Sequence, residues 1–526
     1  MMTDESPGQG HVPPVASDIT IDGIFRRAFR IFQNRVAVTW EDGQRTYGEL
    51  RGRSWRLANI LRSLGYYRGD RIAVLSEPRP EYIEAYVALS ALGITLVALN
   101  TRLHPDELQA CIDKCRPSAL LVSGSLIELA DQLRPNATEI RNWISFDTAA
   151  GYDNYAELLR NSQEDEPPQV AEGSDIHNVL FTSGTTGRPK AATISQQAAA
   201  VRALRIAQWF CLSERDGFVG WLPLFHCAGN ESLYATFLTG GVYATLGRAD
   251  ISTMFRIIER DRLTWTLLLP GVISNFLNDP SRIEHDLSSL RFAVGYANMM
   301  SQLVARVTEA FHIDFYDAFG QSETSYLVAH GRSGPGEIPS LRKVPTPLME
   351  IRIVDDDMND QPIGTPGECV IRGPSLMSGY FEDAKANAEV FHGGWLHTGD
   401  VLQQEADGTL VFVDRKRYLI KTGGENVYPA EVESVIAQHP AVEEVCVLGV
   451  PDKRWGETVK AVIVLRSGHS AAVNEIDDWC KQRLSAYKRP RYIQFLPQEN
   501  LPRSTTGKVI RQELAKLPIS EDQRTI

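Results

Sequence analysis

Nowhere in the 526 residues does an apolar run reach the roughly 18–20 that a membrane-crossing helix needs, so no such helix is expected. Basic excess is also lacking. Lys and Arg number 54 against 66 Asp and Glu, a formal net charge of −12, which argues against nucleic acid or an anionic membrane as main partner. Cysteine is scarce: seven residues scattered singly, an odd number that fits a reducing compartment. Cys111 and Cys115 share a helical face but have no neighbouring Cys/His set, and they read as core. No internal repeat or low-complexity tract is evident. Residues 1–17, MMTDESPGQGHVPPVAS, are polar and proline-containing, unlike a signal peptide, and are expected to be disordered. A cytoplasmic chain is the expectation. At this length one hydrophobic core does not suffice, so two or more domains are expected. An anionic ligand then needs a local basic pocket.

What is present is an alternation. TYGELRGRSWRLANILRSLG (46–65) puts Leu50, Leu57, Leu61 and Leu64 at helical spacing, with Gly65 as a stop. Short apolar strands follow at 72–75, 94–99, 119–122, 179–182, 266–269 and 313–319, with a helix near 80–92. Strands alternating with helices predict right-handed βαβ units and a largely parallel sheet. The acidic, proline-containing stretch 161–175 reads as a loop. After about residue 345 the texture changes to short alternating strands separated by Gly, Pro and Asp, which predicts a small antiparallel β unit. From residue 417 a compact mixed segment appears, with helices near 429–438 and 474–484 around two apolar strands. The expected organisation is a domain over 18–415 and a small α+β domain over 416–526.

LFTSGTTGRPKAATIS (180–195) opens directly after an apolar strand. Gly184 and Gly187 allow a tight turn that points N–H groups into one concavity. The hydroxyls of Thr182, Ser183, Thr185 and Thr186 add donors, and Lys190 adds a positive charge. That set suits a polyphosphate. The G-x-x-x-x-G-K-[ST] loop does not fit, because Pro189 interrupts the Gly–Lys pair and only two residues separate the glycines. Pro189 lacks an N–H and disfavours helix at Arg188, so an extended loop is expected.

Five further stretches carry polar residues with chemistry beyond packing. LPLFHCAG (222–229) offers His226. YDAFGQSET (316–324) offers Phe319 for stacking on a base and Glu323 for a divalent cation. GWLHTGD (394–400) offers Asp400 for a ribose diol. DRKRYLIKTGGENVYPAEVE (414–433) holds Arg415, Lys421 and the Gly423–Gly424 turn. LPRSTTGKVIRQEL (501–514) is a second Ser/Thr/Gly loop ending in Lys508. Taken singly each has an ordinary alternative: a partly buried histidine, a solvated acid, an Asx turn, a basic linker, a terminal turn.

Taken together, they resemble the adenylate-forming superfamily of acyl-CoA synthetases, luciferases and peptide-synthetase adenylation domains. The resemblance runs from about residue 20 to 515. The phosphate loop, F-G-x-S-E, T-G-D, D-R-x-x-x-x-I-K and P-x-x-x-x-G-K occur in the family's order, and GGENVYPAEVE looks most like the acyl-CoA synthetases. The resemblance implies an α/β fold: a large N-terminal domain of mostly parallel sheets, helices and a small antiparallel β unit, then a small mobile α+β C-terminal domain. It implies ATP, Mg²⁺ and CoA as cofactors and a small-molecule carboxylic acid as substrate, activated as acyl-AMP and handed to the CoA thiol. A homodimer is compatible with it. Two rivals stand beside it: an enzyme loading a separate acyl carrier protein, and a nucleotide-binding regulator without catalysis.

The same resemblance implies the roles. Residues 183–190, with Thr182, hold the β- and γ-phosphates. Glu323 and Thr182 lie at the metal, Phe319 at the adenine, Asp400 and Arg415 at the ribose, and Gly320 and Ser322 belong to the cofactor-binding set. Lys508 bridges the substrate carboxylate and the α-phosphate in the first step. Lys421, Gly423, Gly424 and Glu425 reach the site for the thioester step, after rotation about Arg417. His226, Trp265, Tyr296, Ala297, Met299 and Ala318, with Met300 nearby, belong to the region that shapes the acyl pocket, and His226 is also a catalytic candidate. The chain departs from the family at Gln196, where many relatives have histidine, at GYANMM (295–300), at Ala318, and at Phe319 in the usual tyrosine position. The methionines suit a bulky or aliphatic acid.

Overall fold

The computed structural model describes residues 18–182, 189–247, 250–296, 301–340, 342–422, 425–452, 454–503, 509–519 and 523–525. The periodic segments fold as their patterns dictate. The helix Tyr47–Ser63 starts at a capping box, in which the Thr46 side chain accepts from Glu49 N while Glu49 accepts from Thr46 N. Such a box contributes about 1 kcal/mol. The helix ends at Ser63, two residues before Gly65, whose φ of +82° suits only glycine comfortably. Cys111 and Cys115 are buried on the helix Pro105–Cys115.

Three sheets organise the chain. An eight-stranded sheet runs in the order Gly379–Tyr380, Lys190–Ser195, Ile176–Thr182, Thr95–Ala98, Arg71–Leu75, Ala119–Val122, Asn142–Ser145, Asp153–Asn154. Its pairs are parallel except at the first three strands. A thirteen-stranded sheet has a parallel centre, Val36–Trp40, Val242–Thr245, Gly217–Gly220, Trp265–Leu267, Phe292–Tyr296 and Asp314–Gln321. Helices Pro80–Ala91, Gln196–Trp209 and Cys227–Thr239 are buried on nearly every face, and one apolar cluster joins them to strands of both sheets. Such all-round burial explains their weak amphipathicity.

The antiparallel unit expected after residue 345 is present, formed by Glu350–Val354, Gly367–Arg372, Leu396–Gln404 and Leu410–Arg415. It is not a separate body. Arg342–Pro345 pairs with Ser325–Ser333 on one side and with Leu410–Arg415 on the other, so the unit extends the thirteen-stranded sheet. The third sheet lies wholly after residue 419. Its strands Ile420–Thr422, Glu425–Val427, Val442–Asp452, Gly456–Leu465 and Tyr492–Phe495 enclose a core of their own with helices Pro429–Ile436 and Val473–Lys481. Among the described residues no helix is long and apolar enough to cross a membrane.

Candidate active site

Two paired strands flank the glycine-rich stretch. Ile176–Thr182 and Lys190–Ser195 pair antiparallel with Thr182 opposite Lys190, both half-buried. Ser183, Gly184, Thr185, Thr186 and Gly187 lie outside the described residues.

Beside these strands a strap folds in. Ser378 N donates to Thr193 O and Phe381 N to Ala191 O, each at 2.8 Å, which seats Gly379–Tyr380 as an edge strand. Tyr380 then reaches two charges. Its ring carries Lys190 Nζ 4.9 Å from the centroid, and its hydroxyl donates to Glu323 Oε1 at 2.9 Å. Burial, and then the Glu323 charge, push the Tyr380 phenol well above its ordinary range, so it stays protonated. Glu323 is only 8 % exposed, and among the described residues Tyr380 alone hydrogen-bonds its carboxylate. A buried carboxylate whose described donor is one neutral phenol is costly unless a cation joins it.

The loop bearing Glu323 is braced from beneath. Arg202, on the helix Gln196–Trp209, donates to Ser322 O at 3.2 Å and Ser375 O at 2.8 Å, and pairs with Glu231 Oε1 at 2.8 Å. Glu231 in turn accepts from Ser325 Oγ at 2.6 Å and Tyr326 N at 3.2 Å. Gly320 sits so close to the next strand that a Cβ would come within 2.1 Å of Ser325 O, so no other residue fits there. His226 occupies the N-cap position of the helix Cys227–Thr239 without a side-chain cap bond, its ring 4.7 Å from that of Phe225. Next to it, Cys227 Sγ accepts from Ser322 Oγ at 3.7 Å. Burial pushes the Cys227 thiol up to about 12, so it is a thiol and not a nucleophile at neutral pH.

From this loop the contacts continue to the third motif. Gln321 Nε2 donates to Thr398 O at 3.3 Å, and Asp400 N donates to Thr398 Oγ1 at 3.1 Å. Asp400 is buried and Arg415 Nε lies 3.0 Å from its Oδ1. Glu368 accepts from Gly399 N at 3.2 Å and from Lys416 Nζ at 2.9 Å, while Lys416 also pairs with Asp356 at 2.8 Å. Lys416, and more weakly Lys421, hold the Asp356 carboxyl below its usual range. Lys421 is exposed, with its N–H donating to Glu457 Oε2 at 2.9 Å, and Glu425 is exposed on the adjoining strand.

Contacts join Lys190, Tyr380 and Glu323, and, two residues along the same loop, Gln321, Thr398, Asp400 and Arg415, with His226 next in the chain to Cys227, which meets Ser322. Other sequence-selected residues lie apart from them. Trp265 is fully buried among Phe210, Phe218 and Phe292, inside the packed layer. Ala318 is also buried, opposite His330. Phe319 is 2 % exposed, its ring 6.1 Å from that of Phe412 in the core of the antiparallel wing. Tyr296 ends the strand Phe292–Tyr296. Ala297, Met299, Met300, Gly423, Gly424 and Lys508 lie outside the described residues. The sequence reading missed Tyr380, Arg202 and Glu231. A charge within the alanine-rich segment 198–207 was the available signal for Arg202; Tyr380, in SGYF, carried none.

A buried acid beside the strands that flank the Ser/Thr/Gly stretch, with an Asp–Arg pair on the antiparallel wing, is an α/β arrangement suited to a nucleotide. The chain belongs to the AMP-binding enzyme family, whose main domain matches residues 25–381 and whose C-terminal domain matches residues 431–508. It is 32% identical to an indoleacetate–CoA ligase of Aromatoleum aromaticum, over 92% of this chain and 95% of that one. It is likewise 32% identical to a feruloyl-CoA synthase of an Amycolatopsis species, over 93% and 97% of the two chains. An anthranilate CoA ligase solved with anthranoyl-AMP superposes with a TM-score of 0.87 at 27% identity, covering 95% of this chain and 97% of that one. Within the family the chain is an adenylate-forming ligase of the acyl-CoA synthetase kind.

Proposed function

We propose that this ligase activates an aromatic carboxylic acid as its adenylate and passes the acyl group to CoA. The observation that carries the site reading is the buried Glu323 carboxylate, standing between the phosphate hairpin and the Asp400–Arg415 pair with a phenol as its described donor. The aromatic class is supported by three of the relatives, named for indoleacetate, ferulate and anthranilate, against others at 28% identity named for long-chain fatty acids and crotonobetaine or carnitine.

In the first step a carboxylate oxygen attacks the α-phosphorus of ATP, and pyrophosphate leaves. Two anions must approach, so the site needs fixed cations and donors. The hairpin loop with Thr182 and Lys190 holds the outer phosphates, and Lys508 bridges the carboxylate and the α-phosphate. Glu323 and Thr182 would hold Mg²⁺, which neutralises phosphate charge when bound. Asp400 accepts from the ribose hydroxyls, with Arg415 fixing its carboxylate. In the second step the CoA sulfur, its proton lost, attacks the acyl carbonyl and AMP leaves. For that step the small domain rotates about Arg417, bringing Lys421 and Gly423–Glu425 to the site in place of Lys508. His226 and the segment 296–300 line the acyl and thiol approach. The seven free cysteines fit a reducing, cytoplasmic setting.

A panel of aryl and linear aliphatic acids, followed by AMP release with and without CoA, tests this. Aryl acids should give AMP and acyl-CoA together, and Ala297→Trp should change which of them are accepted. A preference for linear acids would end the aromatic assignment. Thioester formation only on a phosphopantetheinylated carrier would replace CoA as the acceptor.

A further inference from the structure

We propose that Tyr380 is a positioning residue for the adenylation step: its hydroxyl orients the Glu323 carboxylate while its ring seats the Lys190 ammonium. One neutral side chain then sets the spacing of the two opposite charges at the triphosphate. The inference rests on the reading of Glu323 as metal-associated and Lys190 as a phosphate ligand.

Tyr380 is held more tightly than packing alone requires. Its N–H donates to Asn387 Oδ1 at 2.6 Å, and Asn387 Nδ2 returns a bond to Tyr380 O at 2.9 Å. Met377 N donates to Glu323 O at 2.8 Å, so the strap also grips the backbone of the residue whose side chain Tyr380 orients. Gly379 adopts φ +138°, and a Cβ there would meet the Asn387 side chain at 3.0 Å. The strap is therefore shaped to bring this phenol to Glu323.

The chemistry explains the choice of residue. A phenol held protonated has one proton to give and no charge to compete for the phosphates. By donating to Oε1 it fixes the carboxylate plane and leaves Oε2 for a cation. A lysine or arginine in its place would neutralise Glu323 and expel the metal. The ring face holds Lys190 by cation–π attraction without consuming any of its three N–H donors, which remain available to phosphate oxygens.

Removing one oxygen leaves the ring packed, so a purely structural Tyr380 predicts a silent Tyr380→Phe. The positioning role predicts otherwise. Calorimetric titration of ATP with Mg²⁺ and with EDTA, and the Mg²⁺ dependence of acid-dependent ATP–pyrophosphate exchange, separate the two. Tyr380→Phe should raise the Mg²⁺ concentration at half-maximal exchange ~3–10-fold and weaken Mg·ATP binding similarly, with metal-free ATP binding unchanged. Tyr380→Leu should weaken metal-free ATP binding as well, because Lys190 loses its ring. Tyr380→Phe added to Glu323→Gln should shift the Mg²⁺ dependence no further than Glu323→Gln alone. A wild-type Mg²⁺ dependence in Tyr380→Phe, or additive shifts in the double variant, overturns the assignment. If Glu323→Gln is also silent, the metal reading of Glu323 falls with it; if Glu323→Gln shifts alone, only the role of Tyr380 falls.

Discussion

Asp400 and Arg415 stand opposite each other on neighbouring antiparallel strands, with Arg415 Nε 3.0 Å from the buried Oδ1 of Asp400. A carboxylate steadied in this way keeps its acceptors in a fixed plane, as the proposed ribose contact requires.

Asp400→Asn keeps the shape and removes the charge. The KM for ATP in pyrophosphate exchange should rise ~10-fold or more, the worth of one charge-assisted hydrogen bond, while the KM for the acid stays put. An increase confined to the acid would move the ribose elsewhere.

Lys508→Ala should lower acid-dependent pyrophosphate exchange by ~10²–10³-fold with ATP binding nearly intact, because its charge counts most in the transition state. Thioester formation from supplied acyl-adenylate should survive far better. Equal losses in the two half-reactions would remove Lys508 from the first step.

Arg417 is exposed within a single 3₁₀ turn, Lys416–Tyr418, a conformation whose typical φ, roughly −50 to −70°, is one that proline adopts. Arg417→Pro should therefore keep pyrophosphate exchange and lose most CoA thioester formation, since the locked φ and the restricted Lys416 oppose rotation. Assays of both half-reactions on one preparation decide it; equal retention would discard the hinge.

His330 is buried among Trp209, Phe210 and Tyr316, near Lys343 and its partner Asp317. Burial, and then the Lys343 charge, bring it down to about 4. A histidine whose folded value lies below its unfolded one takes up its proton first in the unfolded chain. The stability it contributes is complete above about pH 6.5 and is lost as pH falls toward 4, on the order of 3 kcal/mol. Melting curves between pH 7 and 4.5 should show a shallower decline for His330→Phe than for the wild type. Parallel curves would place the acid sensitivity in other groups, His177 among them, which burial lowers to about 3.

The strands at 72–75, 119–122 and 179–182 were legible because runs of Val, Ile, Leu and Ala bounded by turn residues have few other fates. Their partners were not. Val36–Trp40 pairs with Val242–Thr245, and nothing local in either segment names the other. The same division runs through the site. Glu323, Asp400, Arg415 and Lys190 stood out by type and spacing, whereas Tyr380 acquires its neighbours only when Gly379–Tyr380 pairs with Lys190–Ser195. Trp265 shows the limit of composition: a tryptophan fits a substrate pocket or a core, and only the surrounding phenylalanines distinguish the two.

The Arg202–Glu231 pair under the Glu323 loop constrains how this protein can be altered, by a breeder of variants or by descent. Both side chains are about 1 % exposed, and the pair holds Ser322, Ser325, Tyr326 and Ser375 in place. Losing either partner strands a charge in the interior, typically at 3–5 kcal/mol, a large share of a domain's net stability. Single steps away from the pair are therefore costly, and replacing it calls for changes at several residues together. Variation in acid preference is expected at residues that do not brace the Glu323 loop, and not within this block.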